Sequence, residues 1–194
     1  MIKDKSRAGW FGASDTHYIM GNWDTDTFRK WWLVKVGAVK STFGGNKYTR
    51  AGTAYEHRIL SHLKIPTWDR QIRFKRYRLR VNLDGEDKIC VYEVKTEKEE
   101  SKSVKKSYWQ QAQVEAFATK KRVAIVFYRM TEENYSNYFL PIEDGCIKVH
   151  YIGYDKAWIE KEYLPRLKYL CKCLKKGWTP NVSGFERYLT RLAG

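Results

Sequence analysis

The chain has 194 residues, enough for one domain with a sizeable core. Lys and Arg number 37 against 22 Asp and Glu, a net charge of +15 spread along the chain; such a balance fits a polyanion, nucleic acid first among them, or a basic surface kept for solubility. No run of about 18 apolar residues is present and the first residues lack the apolar core of a secretory signal, so a membrane span is excluded and a soluble, cytoplasmic protein is expected.

In chain order, Arg7 to Asp15 reads as a loop entering a helix that Ser14 or Asp15 caps, and a helix N-terminus with an arginine nearby attracts phosphate. Residues 24–36, with Phe28, Trp31, Trp32 and Val36, read as an amphipathic helix. Residues 47–63 form a further helix in which Ile59, Leu60 and Leu63 stand three, four and seven positions from Glu56. Glu56 therefore belongs to the buried stripe, either at its edge or as a carboxylate of a site. His57 and His62 lie on different faces and read as surface residues.

Residues 70–83 alternate with the period of a strand. Tyr77, Leu79, Val81 and Leu83 share one face; Arg76, Arg78, Arg80, Asn82 and Asp84 share the other, either a solvated edge or a row that meets backbone phosphates. Asp84-Gly85 reads as a hairpin turn. In the strand that follows, Ile89, Val91, Glu93 and Lys95 share a face, and the turn returns Asp84 to Glu93. Two carboxylates and an ammonium suit phosphodiester hydrolysis: the acids hold Mg²⁺ or Mn²⁺, which polarises the phosphate and acidifies a water, and the lysine stabilises charge or orients the water. Taken alone, the stretch is equally an exposed hairpin with an ion pair.

The charged run from Thr96 to Lys106 reads as a loop beside this site, and residues 107–119 as a helix with Tyr108, Gln111 and Glu115 on one face. The apolar run 122–128 suits a central strand, and a further strand or hairpin is expected over 137–153, turning at Asp144-Gly145. A helix over 155–176 should kink at Pro165, and 178–194 reads as a peripheral tail. The cysteines are Cys90, Cys146, Cys171 and Cys173; Cys-x-Cys in a helix splays its thiols about 200° apart, so reduced thiols and no iron–sulfur cluster are expected.

The ordered set Arg7 with Gly12-Ala13-Ser14, Gly52-x-x-x-Glu56, Leu83-Asp84-Gly85, Glu93-Val94-Lys95 and Tyr108-x-x-Gln111-x-Gln113 resembles the lambda-exonuclease-like, YqaJ-type viral recombinase family of the PD-(D/E)xK nuclease superfamily. It spans residues 7–128. The resemblance implies a single α/β domain, 1–177, with a restriction-endonuclease-like fold: a mixed central sheet flanked by helices. It implies a two-metal phosphodiesterase in which Asp84 and Glu93 look like the main Mg²⁺ ligands, Mn²⁺ being an alternative. The Val94 carbonyl looks like a further ligand, Lys95 like the residue orienting the water, and Glu56 like a second-metal or water-positioning carboxylate. Gln111 is similar to the glutamine supporting the nucleophile, with Tyr108 one turn earlier.

Arg7 and Ser14 match the family's pocket for a DNA 5′-phosphate, a feature that goes with 5′→3′ resection of duplex ends. Asn82 stands where a small hydroxyl residue helps bind phosphate, and Leu83 replaces the motif proline; the first departure leaves the 5′ preference open. The resemblance further implies double-stranded DNA ends as substrate, a single-strand annealing protein as partner, a ring trimer, and a phage or prophage protein in a bacterial cytoplasm. A junction-resolvase-like endonuclease on the same core and a non-catalytic DNA-binding module are the alternatives.

Overall fold

A computed structural model describes residues 8–40, 45–99 and 102–193. Its strands are β1 (Phe11–Gly12), β2 (Thr67–Phe74), β3 (Leu79–Glu86), β4 (Cys90–Glu97), β5 (Arg122–Arg129) and β6 (Ile147–Ile152). They form one mixed sheet in the order β1-β3-β4-β5-β6, with β2 also paired to β3. The parallel pair β4 and β5 is joined by helix α4 (Lys106–Thr119), the crossover that parallel neighbours require. Strand β5 is buried along its apolar run and is the centre of the core. This is the α/β class expected from the sequence.

Each sheet face is covered by helices whose apolar spacing matches it. Helix α3 (Lys47–His62) starts where the Asn46 side chain accepts a hydrogen bond from the Thr49 N–H, 2.9 Å. It lays Ala51, Tyr55, Ile59 and Leu60 against Val94, Val126 and Tyr128. Across the sheet, Val91, Val123, Ile125 and Phe127 meet Ala112, Val114 and Ala116 of α4, and the aromatic face of α2 (Asp26–Lys35) joins the same cluster. In α2, Phe28, Trp31 and Trp32 are buried around Phe11, while Val36 is exposed.

Three elements differ from expectation. The alternation over 70–83 is not one strand: Phe74 pairs with Leu79, and Lys75–Tyr77 forms a 3-10 turn closed by Arg78 in a left-handed conformation at φ 46°. The apolar positions shift from even (Ile72, Phe74) to odd (Leu79, Val81, Leu83) across this turn, which is the mark of the break. Asp84-Gly85 is not a turn but lies inside β3; the chain reverses at Asp87, whose carboxylate accepts from the Ile89 and Cys90 N–H groups. Ile89 is consequently exposed at the turn instead of lying on the strand face. Gly85 is required for packing: a β-carbon there would sit 2.6 Å from Leu60 Cδ2.

At the C-terminal end, α5 (Lys156–Trp158) passes through a π-helical stretch, Ile159–Tyr163, into α6 (Leu164–Lys176). Pro165 lacks the N–H that would continue an α ladder, and the wider turn precedes it. The expected kink is thus a π segment. Residues 182–193 form α7, whose Phe185 and Tyr188 pack on the main core beside Trp23 and Tyr169. Among the described residues, no helix is long and apolar enough to cross a membrane.

Asp15 stands at the N-cap position of a helix, as expected, but its carboxylate turns away from that helix and is a buried anchor. Helix α1 (Thr16–Ile19) is one turn long, and the Asp15 carboxylate accepts from Gly12 N at 2.7 Å and Trp31 Nε1 at 2.9 Å and pairs with buried Lys35. Removing it strands a buried ammonium from its counter-charge. Asp15→Ala should therefore lower unfolding stability by about 3–5 kcal/mol in urea denaturation, and a loss below about 1 kcal/mol would show that the pair anchors nothing.

Candidate active site

The site forms where the sheet splits. One edge of β3 pairs with β2; the other pairs with β1 at Leu79–Arg80 and with β4 only at Gly85–Glu86. Beyond Gly85 and Tyr92, β3 and β4 diverge, and the Val94 N–H loses its ladder partner. The Asp84 carboxylate takes its place, accepting from Val94 N at 2.9 Å. Asp84 is thereby held against the divergence point, enclosed by protein yet with part of its surface open.

Glu93, one residue before Val94, is 5% exposed. Lys95 Nζ donates to Glu93 Oε1 at 2.5 Å and contacts Gln111 Oε1 at 3.3 Å; the Tyr108 ring lies under the ammonium, 5.0 Å from its centroid. Helix α4 thus supplies an amide and an aromatic face to a lysine on β4. Glu56 arrives from α3, which approaches β4 closely: a β-carbon on Gly52 would lie 3.0 Å from Thr96 Oγ1. This explains the spacing of Gly52 and Glu56, one helical turn apart on the face toward the site.

Electrostatics bind these groups into one unit. Burial pushes the Asp84 carboxyl well above the usual range, and the charges of Glu93 and Glu56 add to it; Lys95 and the Val94 N–H act in the opposite direction. Glu56 is raised by burial first and by Glu93 next. Burial disfavours the Lys95 ammonium, yet Glu93 and Asp84 outweigh it and hold lysine above its ordinary value. The acids around it thus favour the ammonium form of Lys95.

The remaining acids of the hairpin are structural. Glu86 is buried between Arg70 and Lys121, the latter at 2.7 Å, and Asp87 organises the turn and accepts from Tyr92 Oη at 2.8 Å.

The predicted DNA-binding residues do not form one row. Arg76 lies in the 3-10 turn with its guanidinium over Tyr77, Arg78 reaches the Gly9 carbonyl at 3.4 Å, and Arg80 is buried in β3. The hairpin at 75–78 separates them, which corrects the reading of a three-arginine face. Asn82 is exposed, with its Oδ1 accepting from Gln71 Nε2 at 2.9 Å. Ser14 is exposed on the 3-10 turn after β1, and Arg7 lies outside the described residues. Tyr108 faces Lys95.

Two features were given no role in the sequence analysis. Glu115, on the same face of α4 as Gln111, is fully buried and its Oε1 accepts from Gln111 Nε2 at 2.8 Å; burial and the Glu93 charge raise its carboxyl well above the usual range. Its position four residues after Gln111 was the available signal. His57 is not a bare surface residue: its Nε2 lies 3.3 Å from Asp69 Oδ2 and 4.0 Å from Glu56 Oε1. Among the described residues, Glu56, His57 and Asp69 are the trio whose ligand atoms lie within 4.8 Å of one another. Asp69 comes from β2, where it adopts φ 56°, so sequence spacing around His57 carried no sign of it. His62 pairs with Asp144 at 2.6 Å.

No protein-family model matches the sequence, and no curated protein matches it either. Among solved structures, the chain is similar to an alkaline exonuclease, LHK-Exo, from Laribacter hongkongensis, with a TM-score of 0.66 and 18% identity over 96% of this chain and 94% of that one. LHK-Exo in complex with dAMP gives a TM-score of 0.64 and 17% identity over the same shares. At this identity the likeness establishes a shared fold, one α/β domain built on a mixed sheet.

Raised carboxyl pKa values have a sign for stability. The folded chain binds protons at Asp84, Glu56 and Glu115 more tightly than the unfolded chain, so their contribution is full below about pH 4 and is lost as pH rises through the raised folded values. In chelator, the melting temperature should fall between about pH 5 and pH 8 as this contribution is lost. Asp84→Asn, which retains an acceptor for Val94 N, should melt a few degrees above wild type at about pH 8. A variant melting below wild type there would contradict the cost assigned to the buried charge.

Proposed function

We propose that the chain is a divalent-metal-dependent deoxyribonuclease, and specifically an exonuclease that resects duplex DNA from 5′ ends to leave 3′ single strands. The observation that carries this reading is the convergence of Asp84, Glu93, Lys95 and Gln111 at the split between β3 and β4, with Glu56 electrostatically coupled to them. The fold shared with an alkaline exonuclease and the net charge of +15 support it.

The residues present fit a hard cation: Glu93 Oε2 is buried without a hydrogen-bond partner, and Asp84 keeps an open side. Asp84, Glu93 and the Val94 carbonyl would hold Mg²⁺ or Mn²⁺, with Glu56 at a second position. A cation bound there supplies Lewis acidity to a phosphodiester and acidifies a water. The Lys95 ammonium would stabilise negative charge developing on the phosphate or orient the attacking water. Glu93, Gln111 and Tyr108 limit where that ammonium can point, so its orientation is set before substrate arrives. Arg7, Ser14 and Asn82 are the proposed contacts of the terminal 5′-phosphate. The same reading includes an annealing protein that receives the 3′ strand, a ring-forming homo-oligomer, and a phage or prophage protein acting in a bacterial cytoplasm.

The test uses three DNAs: a linear duplex with 5′-phosphate, a nicked circle and a four-way junction. Progressive loss of 5′-labelled strand from the linear duplex in Mg²⁺ is expected, with slower loss from unphosphorylated ends. Junction cleavage without end resection would make the chain a structure-specific endonuclease. Glu93→Ala should reduce hydrolysis by about 10³-fold, the rate equivalent of several kcal/mol of lost charge stabilisation, while salt-sensitive DNA binding persists. Wild-type protein that binds DNA but is inert in both Mg²⁺ and Mn²⁺ would indicate a binding module.

A further inference from the structure

The Glu93 carboxyl lies against that of a second buried acid, Glu115 of α4. Glu93 is 5% exposed and Glu115 fully buried. One oxygen of each is engaged: Glu93 Oε1 by Lys95 Nζ at 2.5 Å, Glu115 Oε1 by Gln111 Nε2 at 2.8 Å. The other oxygen of each, Glu93 Oε2 and Glu115 Oε2, is buried without a hydrogen-bond partner. Two carboxyl groups shut away from water, each with an orphaned oxygen, constitute a strongly unfavourable arrangement as two charges, and either a shared proton or a cation must join them. Lys95 alone does not satisfy both, because its ammonium donates to Glu93 Oε1 and faces Gln111, leaving both Oε2 atoms without it.

Hard oxygen donors in contact, on rigid elements and already oriented by neighbouring hydrogen bonds, are the donor set of a small divalent cation. We propose that Glu115 is a ligand of the divalent cation, bound through Glu115 Oε2 and Glu93 Oε2, so that α4 contributes a carboxylate to the metal site besides orienting Lys95 through Gln111. The proposal rests on the metal-dependent reading of the site. It also accounts for Gln111: its amide donates to Glu115 and its carbonyl oxygen faces Lys95, so a single side chain keeps the acid and the ammonium apart at a fixed spacing.

Glu115→Gln is the discriminating variant. It has the same size, retains an oxygen that can accept from Gln111, and offers Glu93 an N–H in place of a cation. By calorimetric titration with Mn²⁺ alone, without DNA, its affinity should be 10- to 100-fold weaker than that of wild type. In chelator it should melt higher than wild type, since the adjacent charges are gone, and added Mn²⁺ should stabilise it less. Glu115→Leu, also apolar on the Gln111 side, should show the same weakening if it folds. An Mn²⁺ affinity for Glu115→Gln within about twofold of wild type overturns the proposal even if cleavage falls, because Glu115 would then only share a proton with Glu93 or brace Gln111. Wild type that binds Mn²⁺ through Glu115 yet leaves every DNA intact would sink the nuclease reading and uphold the cation site. Normal cleavage by wild type with undiminished Mn²⁺ binding by Glu115→Gln would do the reverse.

Discussion

The hydrogen bond from the Val94 N–H to Asp84 marks the constraint on which the rest of the structure depends. Where β3 and β4 part, a strand pair would ordinarily leave unsatisfied backbone groups. Here a carboxylate fills the vacancy, and in doing so it is placed among Glu56 and Glu93 with Lys95 as the nearby cation. Burying like charges is costly, so the surrounding fold must hold them by packing against their mutual repulsion. The apolar strand β5, the aromatic face of α2 and the Asp15–Lys35 anchor provide that rigidity on one side; α3, drawn close at Gly52 and Gly85, provides it on the other.

That arrangement explains why the groups come from four elements with different jobs. Strand β3 carries Asp84 and β4 carries Glu93 and Lys95, so the relative placement of these three side chains is fixed by backbone register. Helix α3 presents Glu56 across a glycine contact. Helix α4 adds Gln111, Tyr108 and Glu115, which set the direction of the ammonium and wall off its inner side. Opposed environments on neighbouring acids sort them by role: Glu86 and Asp87, satisfied by cations and N–H groups, are held below the usual carboxylate range and stabilise the hairpin, whereas Asp84 and Glu56 are held above it and remain available to a ligand.

Much of this was legible in the residues. The helix over Lys47–His62, the apolar β5 and the shared face of Glu93 and Lys95 follow from local periodicity, which the structure keeps because each element is half-buried in the way its pattern requires. Failures arose where parity and turn chemistry mislead. The clean alternation from Arg76 onward masked the change of apolar parity at Lys75–Tyr77 that marks a hairpin, and Asp84-Gly85 imitated a turn although its glycine is there to admit Leu60. Asp15 does sit at a helix N-cap, but nothing local reveals that Lys35 and Trp31 converge on its carboxylate. The trio Glu56, His57 and Asp69 depends on a left-handed residue inside β2, and the contact of Glu115 with Glu93 on a helix–strand docking; neither is encoded in sequence spacing.

Two places in the fold offer oxygen ligands that could take a divalent cation: the buried cleft of Asp84 and Glu93, and the more exposed trio Glu56, His57 and Asp69. Crystals grown with Mn²⁺ and a short 5′-phosphorylated duplex, with anomalous scattering collected at the manganese edge, separate them directly. The expected result is an anomalous peak in contact with the carboxylates of Asp84 and Glu93, next to a DNA phosphate. A manganese ion seated only on Glu56, His57 and Asp69, with Asp84 still bonded to Val94 and the cleft empty of metal, would contradict the assignment of the sheet split as the centre of the chemistry.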